Sequence, residues 1–352
     1  MKKSMKIVPV LLAALLLCGC MPLQKADSGQ YTATYFDLFD TVTTVVGHAG
    51  SREEFDRQAQ NIYNVLATYH RLFDIYHTYP DINNLKTVND RAGVEPVVVA
   101  EPIVQLLLDC KAYYELTGGR VHTAMGSVLR LWHEARQKGL QNPEEASLPE
   151  SGALKEAAKH GDWDCVVIDQ TESSVFLTDP DMSLDVGAIA KGWSVQRAAE
   201  QAPAGMLISV GGNVCATGPK NGEQPWVIGI QNPDGGDYLH VIRVEKGSVV
   251  TSGDYQRAYT VDGKRYHHII DPDTCMPGTY WRSVTVVCED SGLADALSTA
   301  LFLMPQAEGR VLAEQCDAQV LWVDSDGKED RRGLQKKRPG VDRFYVDLRH
   351  GK

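Results

Sequence analysis

Apolar residues recur at helical spacing in several stretches of the chain. A capping-box pattern at Ser51–Glu54 precedes the first stretch and predicts a helix that begins there. Its apolar face consists of Phe55, Ala59, Ile62, Leu66, Tyr69 and Phe73. Pro102 marks the start of a second predicted helix, which buries Ile103, Leu106, Leu107 and Cys110 and ends at Gly118-Gly119. Two more helices are predicted over residues 189–201 and 292–304.

Short stretches rich in β-branched and apolar residues alternate with glycine and Asp/Asn clusters, a pattern typical of strands and turns. Strands are predicted at 35–47, 165–168, 174–177, 206–210, 226–231, 239–244, 266–270, 283–287 and 319–323. Residues 137–161 are polar and loop-rich, with room for a short helix. Runs of adjacent strands with segregated helices predict an α+β fold rather than a doubly wound sheet.

The N-terminus has the pattern of a secretory signal. Lysines at positions 2, 3 and 6 precede an apolar run over 7–17 that is too short to span a bilayer. The sequence Leu17-Cys18-Gly19-Cys20 resembles a lipobox, which predicts cleavage after residue 19 and a lipid on Cys20. The alternative is ordinary cleavage without a lipid. Residues 1–19 are thus a predicted lipoprotein signal peptide, 20–34 a tether and 35–350 a single catalytic domain. The expected location is the outer side of the cell membrane.

Charge and cysteine usage narrow the function classes. The 352 residues carry a formal net charge of −11, and no basic patch is visible. Nucleic acid is therefore not an expected partner. Six cysteines follow Cys20, but they are scattered and form no CxxC pair, so zinc is not expected. An exported chain could pair some of them, and the sequence does not specify which.

Four segments carry candidate chemistry, and each has a plain structural alternative. In the segment 183–192, Asp185 ends a predicted strand and Lys191 lies in the first turns of the next helix, where free N–H groups and a lysine suit a phosphate. An ordinary strand-to-helix junction with a surface lysine fits equally well. The paired glycines of 208–213 allow close approach of a ligand to the backbone, although plain turns use them too.

The third segment comprises 251–254 and 265–272 and contains two adjacent histidines. If residues 266–270 form a strand, His267 and His268 point to opposite faces, so one of them faces the core or a cleft. The fourth segment places Asp295 and Thr299 four residues apart on one helical face, about 6 Å from each other. A carboxylate and a hydroxyl suit magnesium, which prefers oxygen ligands. The alternative is an aspartate that stabilises the helix start and a core threonine.

Taken together and in this order, the four segments resemble the ApbE family of FAD:protein FMN transferases. The family's D-[LV]-G-A-I-A-K-G, S-x-G-G-N, T-S-G-D with H-x-I-D-P, and A-D-A-x-x-T blocks are all present, and the resemblance spans about residues 36–304. It implies an ApbE-like fold with antiparallel or mixed sheets and segregated helices. It also implies that Asp185, Lys191 and Ile270 contact FAD. The implied Mg²⁺ ligands are the Ala188 carbonyl, Asp295 and Thr299, and His268 corresponds to the proposed general base.

Three blocks depart from the family pattern. The usual M-G-T is Phe39-Asp40-Thr41 here, the usual F-D-x-T is Val121-His122-Thr123-Ala124, and the usual D-P-x-T-G ends in Cys275. The first two blocks belong to the implied surroundings of the flavin, so Phe39, Val121, His122 and Thr123 are predicted to lie near it.

The resemblance implies a magnesium-dependent transfer of FMN. A threonine or serine hydroxyl of an exported flavoprotein, for example an FMN-binding domain of a membrane redox complex, attacks the FMN-side phosphorus of FAD, and AMP leaves. Two alternatives remain. One is a magnesium-dependent pyrophosphatase that hydrolyses FAD to FMN and AMP, and the other is a flavin-binding lipoprotein without turnover.

Overall fold

The computed structural model describes residues 29–334 and the strand formed by residues 344–347. The predicted signal peptide, the lipidation site Cys20, most of the tether and residues 348–350 lie outside the described residues. The predicted boundary between tether and domain at residue 35 is wrong, because the first strand already begins at Gln30 and pairs along its length with the second.

Helices and strands are spread along the whole described chain. The helices are α1 (Arg52–Phe73), α2 (Leu85–Asp90), α3 (Glu101–Leu116), α4 (Gly126–Gln141), α5 (Ser151–Ala157), α6 (Ala190–Gln201), α7 (Ser291–Phe302) and α8 (Gln306–Gln315). The strands are β1 (Gln30–Leu38), β2 (Thr41–His48), β3 (Val97–Val98), β4 (Val166–Asp169), β5 (Ser174–Leu177), β6 (Met206–Val210), β7 (Asn213–Ala216), β8 (Trp226–Ile230), β9 (His240–Val244), β10 (Gly247–Gly253), β11 (Tyr259–Val261), β12 (Lys264–Tyr266), β13 (Ile270–Asp271), β14 (Met276–Pro277), β15 (Ser283–Cys288), β16 (Gln319–Val323), β17 (Glu329–Arg332) and β18 (Phe344–Asp347).

An eight-stranded sheet organises the domain. Its strands follow the order β1-β2-β6-β7-β10-β15-β16-β17, and each neighbouring pair is antiparallel. Two three-stranded sheets, β18-β9-β8 and β3-β5-β4, and the hairpins β11-β12 and β13-β14 complete the described sheets. The prediction of an α+β fold with segregated helices is confirmed.

Successive side chains of the large sheet pack into two different hydrophobic cores, one on each face of the sheet. On β10, Val250 packs in the core that contains α7, whereas its neighbour Val249 packs against β8 and β9. Val286 and Val287 of β15 divide in the same way. Successive strand residues point to opposite faces, so the sheet lies between a helical layer and a smaller sheet. Because helix α7 lies directly on β10, residues of both elements can line a common site.

Three secondary-structure predictions are wrong, each for a local reason. The stretch 35–47 is a hairpin, because Phe39 and Asp40 adopt positive φ angles of 54° and 51° and form a two-residue turn without the usual glycine. Residues 266–270 do not form one strand, because β12 ends at Tyr266, β13 begins at Ile270, and between them the Ile269 amide donates to the His267 ring at 3.2 Å instead of to a neighbouring strand. The extended segment before Asp185 has no strand partner beyond one bridge from Ser183 to Met125.

Helix α4 was not predicted at all. Its cavity-facing side mixes Leu129 and Trp132 with His133 and Arg136, so the apolar repeat that marks a helix is weak. The predicted helices at α1, α3, α6 and α7 are confirmed within two residues at each end. Ser51 caps α1 by accepting a hydrogen bond from the Glu54 amide.

No helix among the described residues is long and apolar enough to cross a membrane. The six cysteines that follow Cys20 are free thiols in the described structure.

Candidate active site

A cavity of about 780 Å³ lies at the junction of α4, α6, α7 and the end of β10. Its size is that of a small-molecule site. It brings together residues from all four sequence segments, which are far apart along the chain. The predicted site residues that line it are Phe39, His122, Thr123, Asp185, Ala188, Lys191, His268, Ile270, Asp295 and Thr299.

Asp295 is held in place at the inner end of the cavity. The side chain is only 4% exposed, and its Oδ2 accepts hydrogen bonds from the Gly192 amide at 2.8 Å and from Asn213 Nδ2 at 2.9 Å. Lys191 Nζ lies 3.8 Å from the same oxygen. The described residues give Oδ1 no such partner. Burial raises the pKa of the Asp295 carboxyl, so the site favours an additional cation.

The start of α6 leaves one carbonyl free. In a regular helix the Gly192 amide would donate to the carbonyl four residues earlier, which belongs to Ala188. Here the Gly192 amide donates to Asp295 instead, and no described residue donates to the Ala188 carbonyl. Ala188, Asp295 and Thr299 thus offer a carbonyl, a carboxylate oxygen and a hydroxyl to the same cavity. This oxygen-only set fits magnesium.

Gly192 allows α6 and α7 to approach each other closely. A Cβ atom at this position would lie 2.3 Å from the Ser291 carbonyl oxygen and 2.4 Å from Asp295 Cβ. Only glycine can occupy this position without moving α7. The glycine of the 183–192 segment therefore has a packing role that the sequence alone did not reveal.

The loop before α6 presents Asp185 and Lys191 to the cavity. The Asn89 side chain bonds the Leu184 amide at 2.8 Å and the Leu184 carbonyl at 2.9 Å, as a neighbouring strand would. Asp185 Oδ1 accepts from the Gly187 amide, and Lys191 Nζ donates to the Gly187 carbonyl at 3.0 Å. Burial raises the pKa of Asp185 although cationic groups lie nearby. These hydrogen bonds fix the positions of the Asp185 carboxyl and the Lys191 ammonium at the cavity.

The two histidines occupy different environments although they are not in a strand. His267 is buried: its Nε2 donates to the Gly278 carbonyl at 2.9 Å, and its Nδ1 accepts from the Ile269 amide at 3.2 Å. His268 is exposed to the cavity. Desolvation by the cavity walls lowers the pKa of His268, and repulsion by Arg257 and Lys191 lowers it further. His268 is consequently neutral at neutral pH and able to accept a proton.

The cavity residues that the sequence analysis missed include Tyr76, His133, Arg136 and Arg257. Burial lowers the pKa of Arg136, and the Arg257 charge lowers it further, which indicates two cations close together. No described carboxylate forms an ion pair with either arginine. Such a pair favours a negatively charged ligand. Tyr76 and Arg257 reach the cavity only through the tertiary fold, whereas His133 and Arg136 lie on α4. Leu129, Trp132, His133 and Arg136 do follow helical spacing, and this was the available signal.

The predicted flavin surroundings are only partly assembled. Phe39 lies at the cavity with its amide donating to His70 Nδ1 at 3.1 Å, and its ring meets that of His70 edge-on. The cavity is also lined by His122 and Thr123. Val121 does not line it, because its side chain is 1% exposed within the core. The side chain of Val121 therefore does not face the cavity, and the predicted position of Val121 near the flavin stays a prediction.

The arrangement agrees with a known family. The model of the ApbE family matches residues 39–322. The chain belongs to the ApbE family. The family resemblance predicted from the four segments is thereby confirmed, and the ApbE match covers every cavity residue named above.

Relatives with assigned activities cover most of the chain. A Klebsiella pneumoniae protein named FAD:protein FMN transferase is 32% identical over 268 residues, which make up 72% of this chain and 81% of that protein. A Treponema pallidum protein of the same name is 33% identical over 286 residues, or 76% of this chain and 71% of that protein.

Solved ApbE structures share the fold. The crystal structure of the ApbE protein from Thermotoga maritima has a TM-score of 0.77 and 32% identity, covering 86% of this chain and 97% of that one. A flavin transferase ApbE from Vibrio cholerae has a TM-score of 0.71 at 23% identity, covering 86% and 98% respectively, and supports the fold alone.

Proposed function

We propose that this chain is an FAD:protein FMN transferase that moves FMN from FAD to a threonine or serine hydroxyl of a flavoprotein and releases AMP. The observation that carries the proposal is the meeting of the Asp295, Ala188 and Thr299 oxygens with His268 in one cavity. The names of the relatives support the same activity.

The reaction divides the work among the cavity residues. The acceptor oxygen forms a bond to the FMN-side phosphorus, the bond from that phosphorus to the bridging oxygen breaks, and AMP leaves with that oxygen. Neutral His268 takes the proton of the attacking hydroxyl. Lys191, Arg136 and Arg257 place positive charge around the pyrophosphate. Asp295, Thr299 and the Ala188 carbonyl would hold magnesium, which supplies charge neutralisation to the pyrophosphate oxygens when bound.

The partner and the location follow from the same proposal. The acceptor is an FMN-binding domain exported with the enzyme, such as one of a membrane redox complex. A lipid on Cys20 would keep the enzyme and the acceptor at the same membrane surface, facing outward. The lipobox pattern supports this part of the proposal.

The proposal is tested by incubating the purified chain with FAD, MgCl₂ and an exported FMN-binding domain from the same organism. The expected result is an acceptor whose mass increases by one FMN and whose band fluoresces in a denaturing gel. An acceptor with its target hydroxyl replaced by alanine is the control and stays unlabelled. An unlabelled wild-type acceptor would overturn the proposal.

A further inference from the structure

A second cavity, of about 620 Å³, lies beside the first. Its walls are the end of β8, the loop 231–239 that joins β8 to β9, and the strands β7 and β10 of the large sheet. The reaction described above does not use it. A transferase with a protein substrate needs a place for that substrate, and FAD alone does not account for both cavities.

The two cavities meet near the end of the first cavity that contains Asp295 and Thr299, the proposed magnesium ligands. Thr251 and Gln256 line both cavities, while Gly211 lines the first and Gly212 the second. Asn213, which follows this glycine pair, donates to Asp295. Ser252, which follows Thr251, bonds Ser298 on α7 at 2.8 Å, one residue before Thr299. A group that enters from the second cavity therefore arrives where the pyrophosphate is expected to be cleaved.

The lining of the second cavity suits a polypeptide better than a phosphate. No lysine or arginine belongs to it among the described residues. The amide side chains of Gln231, Asn232 and Gln256 offer both hydrogen-bond donors and acceptors, as a peptide backbone requires. Gly212 and Gly236 leave open space, since a Cβ atom at either would meet nothing within 4 Å. Tyr238, 68% exposed, adds an aromatic surface.

The loop 231–239, which forms one wall of the second cavity, is bound through Arg282 to the segment just after β10. Arg282 forms an ion pair with Asp234 of the loop and donates to the Pro233 carbonyl at 3.2 Å. The same guanidinium lies 3.6 Å from Asp254, just beyond β10. The loop is thus held in register with the segment that separates the two cavities, as a preformed groove requires.

We propose that the second cavity binds the hydroxyl-bearing segment of the acceptor protein in an extended form and directs its hydroxyl toward His268. This inference rests on the proposed function. The segment lies with its backbone against the amide side chains and glycines, and only its threonine or serine enters the first cavity.

The variant Gln231→Trp tests the proposal by filling the groove just beyond the end of β8. Val227→Trp is the matched control, because Val227 is 52% exposed on the same strand face but does not line the cavity. The measurements are the KM for the acceptor in FMN transfer, the Kd for FAD by flavin fluorescence, and the melting temperature. Gln231→Trp is expected to raise the acceptor KM at least about 10-fold, with FAD affinity and melting temperature unchanged.

Each other result has a separate meaning. An unchanged acceptor KM in Gln231→Trp overturns the inference while the proposed function stands. Weaker FAD binding assigns the cavity to the adenosine half of FAD and overturns it as well. If Gln231→Trp does not fold, Tyr238→Ala, which removes an exposed wall, must raise the same KM or the inference fails. Failure of the wild-type chain to label any acceptor is the distinct signature of a wrong proposed function.

Discussion

At the residue scale, the two carboxylate oxygens of Asp295 have different surroundings, and we expect them to have different roles. Oδ2 is bound by Gly192, Asn213 and Lys191, and this fixes the orientation of the group. Under the proposed function, Oδ1 is left to bind magnesium together with the Ala188 carbonyl, which belongs to the same cavity and receives no hydrogen bond from the Gly192 amide. The proposed ligand set thus consists of one carboxylate and neutral oxygens.

Replacing Asp295 tests this division. Asp295→Asn keeps the size of the side chain but removes its charge, so we expect loss of magnesium binding by titration calorimetry and loss of FAD turnover. EDTA should do the same to the wild type. Thr299→Val removes a neutral ligand and should be milder. Metal-independent activity in Asp295→Asn would show that the metal site is elsewhere.

His268 and His267 should respond differently to substitution. General-base catalysis contributes roughly 10²–10⁴-fold, so His268→Ala should slow single-turnover FMN transfer by that factor with little change in FAD affinity. His267→Ala loses the bonds to Gly278 and Ile269 and should instead lower the melting temperature. A strand over residues 266–270 would have made His267→Ala nearly silent, but these hydrogen bonds give the His267 ring a structural role.

The lowered pKa of His268 leads to a prediction about the pH dependence of the reaction. Because the pKa of His268 lies well below its usual value, the neutral ring persists as the pH falls below 6.5. The kcat/KM for FAD should therefore not decline between pH 8 and pH 6 on account of His268. Wild-type transfer rates in His268→Ala would remove this residue from the mechanism.

At the element scale, the contact between α6 and α7 determines how the proposed magnesium ligands, Ala188 just before α6 and Asp295 and Thr299 on α7, lie relative to one another. Gly192→Ala places a Cβ atom against the Ser291 carbonyl and Asp295 Cβ, and such overpacking typically costs about 1–3 kcal/mol. We expect a lower melting temperature together with weaker magnesium binding. Gly152→Ala in α5 is the control, since the nearest atom to a Cβ at this exposed glycine is an oxygen of the flexible Glu150 side chain at 3.0 Å, so the melting temperature should change little. Equal effects of both variants would contradict the packing role of Gly192.

Many of the helices and strands could be predicted from the sequence, and the errors have physical causes. Strong periodicity sufficed for α1 and α3, whose apolar faces are mostly buried in the hydrophobic cores. It failed for α4, whose inner face is shared between the core and a polar cavity. The hairpin turn at Phe39-Asp40 was missed because two non-glycine residues hold positive φ angles there. The four motifs identified the proposed magnesium ligands, but Arg136 and Arg257 converge only through the tertiary fold.

At the scale of the whole molecule, the proposed location outside the cell membrane depends on the lipobox pattern at residues 17–20. The lipobox pattern predicts that Cys20→Ala moves the protein from the membrane fraction to the soluble fraction. Fractionation followed by immunoblotting measures this, with Cys18→Ala as the control at the adjacent cysteine. Membrane association that survives in Cys20→Ala would contradict a lipid anchor at this residue.

FMN transfer and FAD hydrolysis differ only in the attacking group, a protein hydroxyl or water, so the central claim concerns the fate of FMN. The most direct measurement is the ratio of AMP released to FMN bound to the acceptor, followed by chromatography and intact mass with FAD, magnesium and acceptor present. The account predicts one AMP for each flavinylated acceptor and no accumulation of free FMN. Equal release of free FMN and AMP, with the mass of the acceptor unchanged, would contradict it.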